Sequence, residues 1–225
     1  MLEIKNVSKI YAPNAGVKDI SFSVKGGQIL ALIGPNGSGK STLLNMISGV
    51  LRPDSGQVLL NEMDVADIKT RGSIGYLPDH ITVNPQIKVL DLLYIVSDYK
   101  YHGQYKDEIE KYIAEYRLEK YCNEKFYKLS MGTKKKVGIL LAFMGTPDLI
   151  ILDEPTNGMD THGILQLKSS ILKAREQGSI VLISSHILDF VGSIAERSLF
   201  LKDMRLAENT EQGADLEEIY KRLYL

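Results

Sequence analysis

Ile29-Leu30-Ala31-Leu32-Ile33-Gly34-Pro35-Asn36-Gly37-Ser38-Gly39-Lys40-Ser41-Thr42 is the stretch that decides how the rest of the chain is read. Its second part fits the phosphate-loop pattern G-x-x-x-x-G-K-[ST]. The apolar run before it reads as a strand buried on both faces. The run after it, Leu43-Leu44-Asn45-Met46-Ile47, predicts the opening of a helix. Strand, loop and helix in that order are the context the pattern requires. Gly34, Gly37 and Gly39 let the backbone turn its N–H groups inward and approach phosphate closely. The dipole of the new helix aims its positive end at the same place. Lys40 can reach the β- and γ-phosphates of a nucleotide, and the Ser41 hydroxyl can ligate Mg²⁺. Asn36, Ser38 and Thr42 complete the candidate phosphate cradle.

Outward from this loop, residues 2–7 and 20–24 alternate apolar and polar and predict antiparallel strands, with a loop at Tyr11–Gly16. Lys25-Gly26-Gly27 is a turn feeding the buried strand. Arg52-Pro53-Asp54-Ser55-Gly56 is a strong turn signal, followed by strands at Gln57–Leu60 and Ser73–Leu77. From about Thr82 to Lys128 the character changes. Tyr94, Tyr99, Tyr101, Tyr105, Tyr112, Tyr116, Tyr121 and Tyr127 crowd into a charged stretch with helical periodicity. It reads as an inserted helical subdomain, about 82–135, with the tyrosines as core and interface filler. Then come a helix at Lys136–Met144, a fully apolar strand at Leu149–Leu152 and a helix over 161–177 closed by Gly178. A third buried strand, Ser179–Ile183, leads to Ser184-Ser185-His186, a helix over 187–196, a strand at Leu199–Leu201 and a helix over Asp215–Leu225. Apolar strands alternating with helices predict an α/β fold whose mostly parallel sheet is wrapped on both faces.

The 225 residues suit one domain, and a net charge of −1 gives no bulk attraction to nucleic acid or anionic lipid. The one cysteine, Cys122, excludes a disulfide framework and points to a reducing, cytoplasmic setting. The longest apolar stretch, Val137–Met144, is far too short to span a bilayer, so work at a membrane would need another chain. His80, His102 and His162 show no metal-ligand spacing. Lys134-Lys135-Lys136 reads as a solvated face rather than a nucleic-acid patch.

The second chemical signal is Leu149-Ile150-Ile151-Leu152-Asp153-Glu154. A carboxylate at the end of a buried strand beside a phosphate loop can hold Mg²⁺ through water, and the next, Glu154, can polarise an attacking water. Here the order of motifs resembles the ATP-binding cassette (ABC) ATPases over essentially the whole chain. Residues 34–42 match that family's Walker A element, and Asp153-Glu154 its Walker B element and catalytic glutamate. Leu129-Ser130-Met131-Gly132-Thr133 lies where the family carries Leu-Ser-Gly-Gly-Gln. Asn157-Gly158-Met159-Asp160 looks like the D-loop, His186 like the switch histidine, and Tyr11 lies where the family places an aromatic ring against adenine.

The resemblance implies a P-loop NTPase core with an N-terminal antiparallel β subdomain, binding ATP and Mg²⁺. It implies head-to-tail dimers in which Ser130 and Gly132 of one chain cap the γ-phosphate held by the other. It departs from the family in two places. Met131 and Thr133 replace a Gly and the Gln of the signature, and Asp79, in Gly75-Tyr76-Leu77-Pro78-Asp79, stands where the Q-loop glutamine is usual. A carboxylate there cannot donate a hydrogen bond but can ligate Mg²⁺. The reading favoured is a MgATPase subunit peripheral on the cytoplasmic side of the cell membrane, bound to a separate transmembrane permease and to a second ATPase subunit, with no nucleic-acid partner. Ile74–Pro78 and Leu216–Tyr220 resemble exporter-type members. The alternatives are a soluble ABC ATPase of translation or DNA repair, and a weakly catalytic regulatory subunit.

Overall fold

The computed structural model describes residues 1–103 and 106–225. Tyr105, one of the tyrosines singled out above, lies outside the described residues. In chain order the elements are β1 (Leu2–Ala12), β2 (Ala15–Val24), β3 (Ile29–Ile33), α1 (Lys40–Ile47), β4 (Ser55–Leu60), β5 (Met63–Asp64), α2 (Ile68–Arg71), β6 (Ile74–Leu77), α3 (Val89–Tyr101) and α4 (Lys106–Glu115). They continue with α5 (Met131–Phe143), β7 (Leu149–Asp153), α6 (Thr161–Glu176), β8 (Ile180–Ser184), α7 (Leu188–Gly192), β9 (Arg197–Lys202), β10 (Arg205–Glu211) and α8 (Leu216–Tyr224).

Two sheets form. One is antiparallel, in the order β2-β1-β4-β5; the other runs β10-β9-β3-β8-β7-β6, parallel except for β10 at its edge. The apolar runs of β3, β7 and β8 are explained by their register. Leu30, Leu32, Leu149, Ile151, Ile180 and Leu182 point into a core shared with α1 and the antiparallel sheet. Ile29, Ile33, Ile150, Leu152, Val181 and Ile183 alternate with them into a second core, covered by α3 and the later helices. A strand with period 2 that is covered on both sides must be apolar at every position.

The helix expected at Lys136–Met144 starts five residues earlier, at Met131, and three further expectations need correction. The Tyr11–Gly16 loop is narrower than expected: only Pro13 and Asn14 form the turn, and Ala12 pairs with Ala15. Only Leu188–Gly192 of the stretch 187–196 is helical. The chain must turn there into β9, and the Glu196 carboxylate accepts a hydrogen bond from the Ile29 N–H at 2.6 Å. Strand β10 was not foreseen. Its residues are mostly polar, and its hairpin turns at Asp203-Met204, both with positive φ, without the Asn-Gly signal that usually marks such a turn. The tyrosines behave largely as filler. Tyr116 is buried with its hydroxyl 2.7 Å from Ser170 Oγ, Tyr94, Tyr112 and Tyr121 pack on the core, and Tyr99 and Tyr127 are exposed.

Candidate functional site

Buried β3 delivers Gly34 to the carboxyl edge of the parallel sheet, where the chain reverses and α1 begins. Gly39, with φ +102°, makes that reversal. A side chain there would meet the Gly16 carbonyl and the Val17 side chain, both 2.6 Å from its Cβ position, so only glycine fits. The same contact sets the start of β2 against the phosphate loop. Tyr11, on the partner strand of that hairpin, is 60% exposed. Asn36, Gly37 and Ser41 are exposed, and Ser38 and Thr42 half-buried.

Lys40 is buried and folds back, its Nζ donating to the carbonyls of Gly34 (2.7 Å) and Pro35 (3.1 Å). Burial lowers its pKa, while the charges of Glu154 and Asp153 act the other way. Ser38 Oγ is buried without a hydrogen-bond partner. An ammonium held only by backbone carbonyls, beside an orphaned hydroxyl, fits a phosphate group. Asp153, Ser41 and Asp79 offer hard oxygen donors suited to Mg²⁺ but too few to close a shell, so phosphate oxygens and water would have to complete it.

The end of β7 carries the densest polar geometry. The Asp153 side chain accepts from Ser184 Oγ at 2.5 Å. Glu154 then turns into the left-handed region, φ +46°, a conformation costing roughly 1–2 kcal/mol for a residue with a Cβ. The turn is held at both ends. Its N–H donates to Ser184 Oγ at 3.0 Å and to the Ser184 carbonyl at 3.2 Å, and its carbonyl accepts from Lys135 Nζ at 3.1 Å. The result aims Glu154 Oε2 at His186 Nδ1, 2.8 Å away. An ionised carboxylate only accepts, so Nδ1 carries the proton. Asp79 follows β6, with Lys135 Nζ 3.4 Å from one oxygen and His80 Nε2 3.5 Å from the other.

A second group gathers at the starts of α5 and α6. Ser130 caps α5 by accepting from the Thr133 N–H at 3.2 Å, and the Thr133 hydroxyl lies 2.8 Å from Ser130 Oγ. Gly132 approaches so closely that a Cβ would lie 2.6 Å from the Gly158 carbonyl. Met131 is exposed and leans over Gly158. The Asp160 carboxylate caps α6, accepting from the Gly163 N–H at 2.8 Å, a bond that lowers its pKa.

A family model described as ABC transporter matches residues 17–157. The chain belongs to the ABC transporter family. The cassette is 31% identical to the SkfA peptide export ATP-binding protein SkfE of Bacillus subtilis, over 93% of this chain and 88% of that one. It is also 31% identical to the lipopolysaccharide export system ATP-binding protein LptB of Escherichia coli, over 100% and 96%. A solved ATP-binding subunit of an ABC transporter superposes with a TM-score of 0.91 at 28% identity, covering 99% of both chains. The dimeric post-hydrolysis structure of the cassette MJ0796 with ADP and Pi superposes with a TM-score of 0.86 at 25% identity, over 95% of this chain and all of that one. The chain is thus an ATP-binding, ATP-hydrolysing subunit of a transporter. Among the described residues no helix is long and apolar enough to cross a membrane.

Two residues of the site escaped the sequence reading. Ser184 is fully buried and serves both Asp153 and Glu154; its only signal was its place at the end of an apolar strand. Lys135 overturns the reading of Lys134–Lys136 as a solvated face. It is 2% exposed, and Lys134 and Lys136 are half-buried, because α5 lies against β6 and β7 rather than at the surface. Burial lowers the Lys135 pKa, opposed by Asp79, Asp153 and Glu154.

Proposed function

We propose that this cassette powers an exporter, working as a head-to-tail dimer on a separate transmembrane permease at the cytoplasmic face of the cell membrane, with residues 82–135 as its inserted helical subdomain. The observation that carries the catalytic part is the pair Glu154–His186, 2.8 Å apart, just beyond the ends of β7 and β8, with β8 lying beside the strand β3 that feeds the phosphate loop. The names of SkfE and LptB, both subunits of export systems, support the direction of transport. The dimeric state of the MJ0796 cassette supports the assembly.

In this reading residues 34–42 cradle the phosphates by their N–H groups, and Lys40 leaves its two carbonyls for the β- and γ-phosphates. Tyr11 stacks on adenine. Ser41, Asp153 and Asp79 hold Mg²⁺, directly or through water; when bound, that ion neutralises charge developing on the transferred phosphoryl group. Glu154 orients the attacking water and takes its proton, and His186, donating from Nδ1, keeps the carboxylate in place. Ser130, with the backbone at Gly132, caps the γ-phosphate bound to the facing chain, and Asp160 steadies the adjoining D-loop. Glu154→Gln keeps the shape of the side chain but removes the base. Expected are retained ATP binding and a turnover lower by ~10²–10³-fold. Wild-type turnover in that variant removes Glu154 from the chemistry. Isolation of the tagged chain from detergent-solubilised membranes tests the rest: a polytopic partner is expected, and recovery with ribosomes or DNA from the soluble fraction overturns the transporter assignment.

A further inference from the structure

A lysine ammonium has three N–H bonds and strongly prefers water. Lys135 has almost none, at 2% exposure. Its Nζ lies 3.1 Å from the Glu154 carbonyl, 3.4 Å from the Asp153 carbonyl and 3.4 Å from Asp79 Oδ1. Three acceptors thus meet three donors, and one of the acceptors is charged. An apolar side chain would fill this place on α5 without the desolvation cost, so the cation's contribution lies in what it holds. What it holds is the peptide of Glu154, the site residue that carries a side chain yet has its backbone in the left-handed region. Ser184 fixes the N–H side of that residue, and without Lys135 the carbonyl side keeps only the longer bond from the Asn157 N–H, at 3.4 Å.

We propose that Lys135 is the positioning residue for Glu154: its ammonium pins the Glu154 carbonyl and so keeps the carboxylate aimed at His186 and the reacting water, with Asp79 as its counter-charge. This rests on Glu154 acting as general base. It also gives the acid at position 79 a task a glutamine could not perform, because a neutral amide does not balance a buried cation. Lys135 touches none of the phosphate-loop residues among its hydrogen-bond partners, so it acts on the rate rather than on nucleotide affinity. It lies on the same helix as Ser130, five residues on, so a shift of the α5 start is carried to Glu154.

The test uses the full chain with Lys135→Met, Lys135→Gln, Lys135→Arg, Asp79→Asn and the double variant Asp79→Asn/Lys135→Met. Lys135→Met is expected to lower kcat by ~10–100-fold, the scale of a small displacement of a catalytic group, while KM and the affinity for a fluorescent ATP analogue change by less than about 3-fold. Amide exchange across residues 153–157 is expected to quicken by about 10-fold or more, with β8 unchanged. Lys135→Arg should recover part of kcat. Asp79→Asn alone strands a buried cation and should melt lower than the double variant. If Lys135→Met does not fold, Lys135→Gln and the double variant carry the same readings. Wild-type kcat and exchange in the Lys135 variants overturn the proposal, and so does a loss of affinity equal to the loss of kcat. Failure of the wild-type chain to bind ATP would overturn the ATPase assignment instead. The exchange measurement needs no nucleotide and still decides whether Lys135 holds the Glu154 segment.

Discussion

Ser184→Ala removes one oxygen and, with it, the link between Asp153, the last residue of β7, and Glu154, which follows it. The side chain is fully buried, so no water replaces it. Its 2.5 Å bond to the Asp153 carboxylate is charge-assisted, a class that contributes about 1.5–3 kcal/mol. The second bond, from the Glu154 N–H at 3.0 Å, is lost only in part, because the Ser184 carbonyl at 3.2 Å still accepts that proton. The expected cost is therefore about 2–3 kcal/mol. For a chain of 225 residues, each kcal/mol moves the melting midpoint by about 2–4 °C, so a fall of about 4–12 °C follows. Ser184→Thr, which keeps the hydroxyl, should lose much less. Thermal and urea denaturation of the three chains without nucleotide reads this directly. ATPase assays well below the lowered midpoint should show a reduced kcat, because Glu154 has lost one of the donors that fix its turn. A Ser184→Ala chain with a wild-type midpoint would show that the hydroxyl is not carrying the Asp153 contact and would refute the reasoning.

Lys40→Ala should abolish tight MgATP binding, since among the described residues its buried ammonium is the one side-chain cation bonded within the phosphate loop; unchanged affinity in a nucleotide titration would remove residues 34–42 from the site. Lys100 offers a test by pH. Burial in α3, where its amine donates to the Ile74 carbonyl, brings its pKa from 10.5 to about 8. The folded chain therefore releases this proton before the unfolded one does. The cost of burying the charge is full below pH 8 and fades as pH rises toward 10.5. Lys100→Met removes a cost of about 1–3 kcal/mol at pH 7, so its advantage in urea midpoint over wild type should shrink between pH 8 and pH 10. A constant difference would show that the amine stays charged throughout.

The phosphate loop, the strand that feeds it and the strand that ends in Asp153-Glu154 were legible because their signals are local. A Gly-rich loop needs positive φ and close approach within nine residues, and a strand covered on both faces needs an unbroken apolar run, five residues in β3 and four in β7. The start of α5 was not: the helix expected from Lys136 begins at Met131, capped by Ser130. Strand β10 was not, because an edge strand with one wet face carries little hydrophobic signal.

By itself, then, the sequence determined the motifs, their order and the family they resemble, since each motif is a short segment whose backbone chemistry is written in its own residues. Only the tertiary structure decided that Lys135 is interior rather than solvated, that Asp79 is its counter-charge, and that Ser184 serves both Asp153 and Glu154. Those contacts join residues 18 to 56 positions apart. A three-lysine run reads the same whether the helix that carries it faces water or a sheet. Which of the two it faces depends on where β6 and β7 lie beneath α5, and that is fixed by the packing of the whole chain.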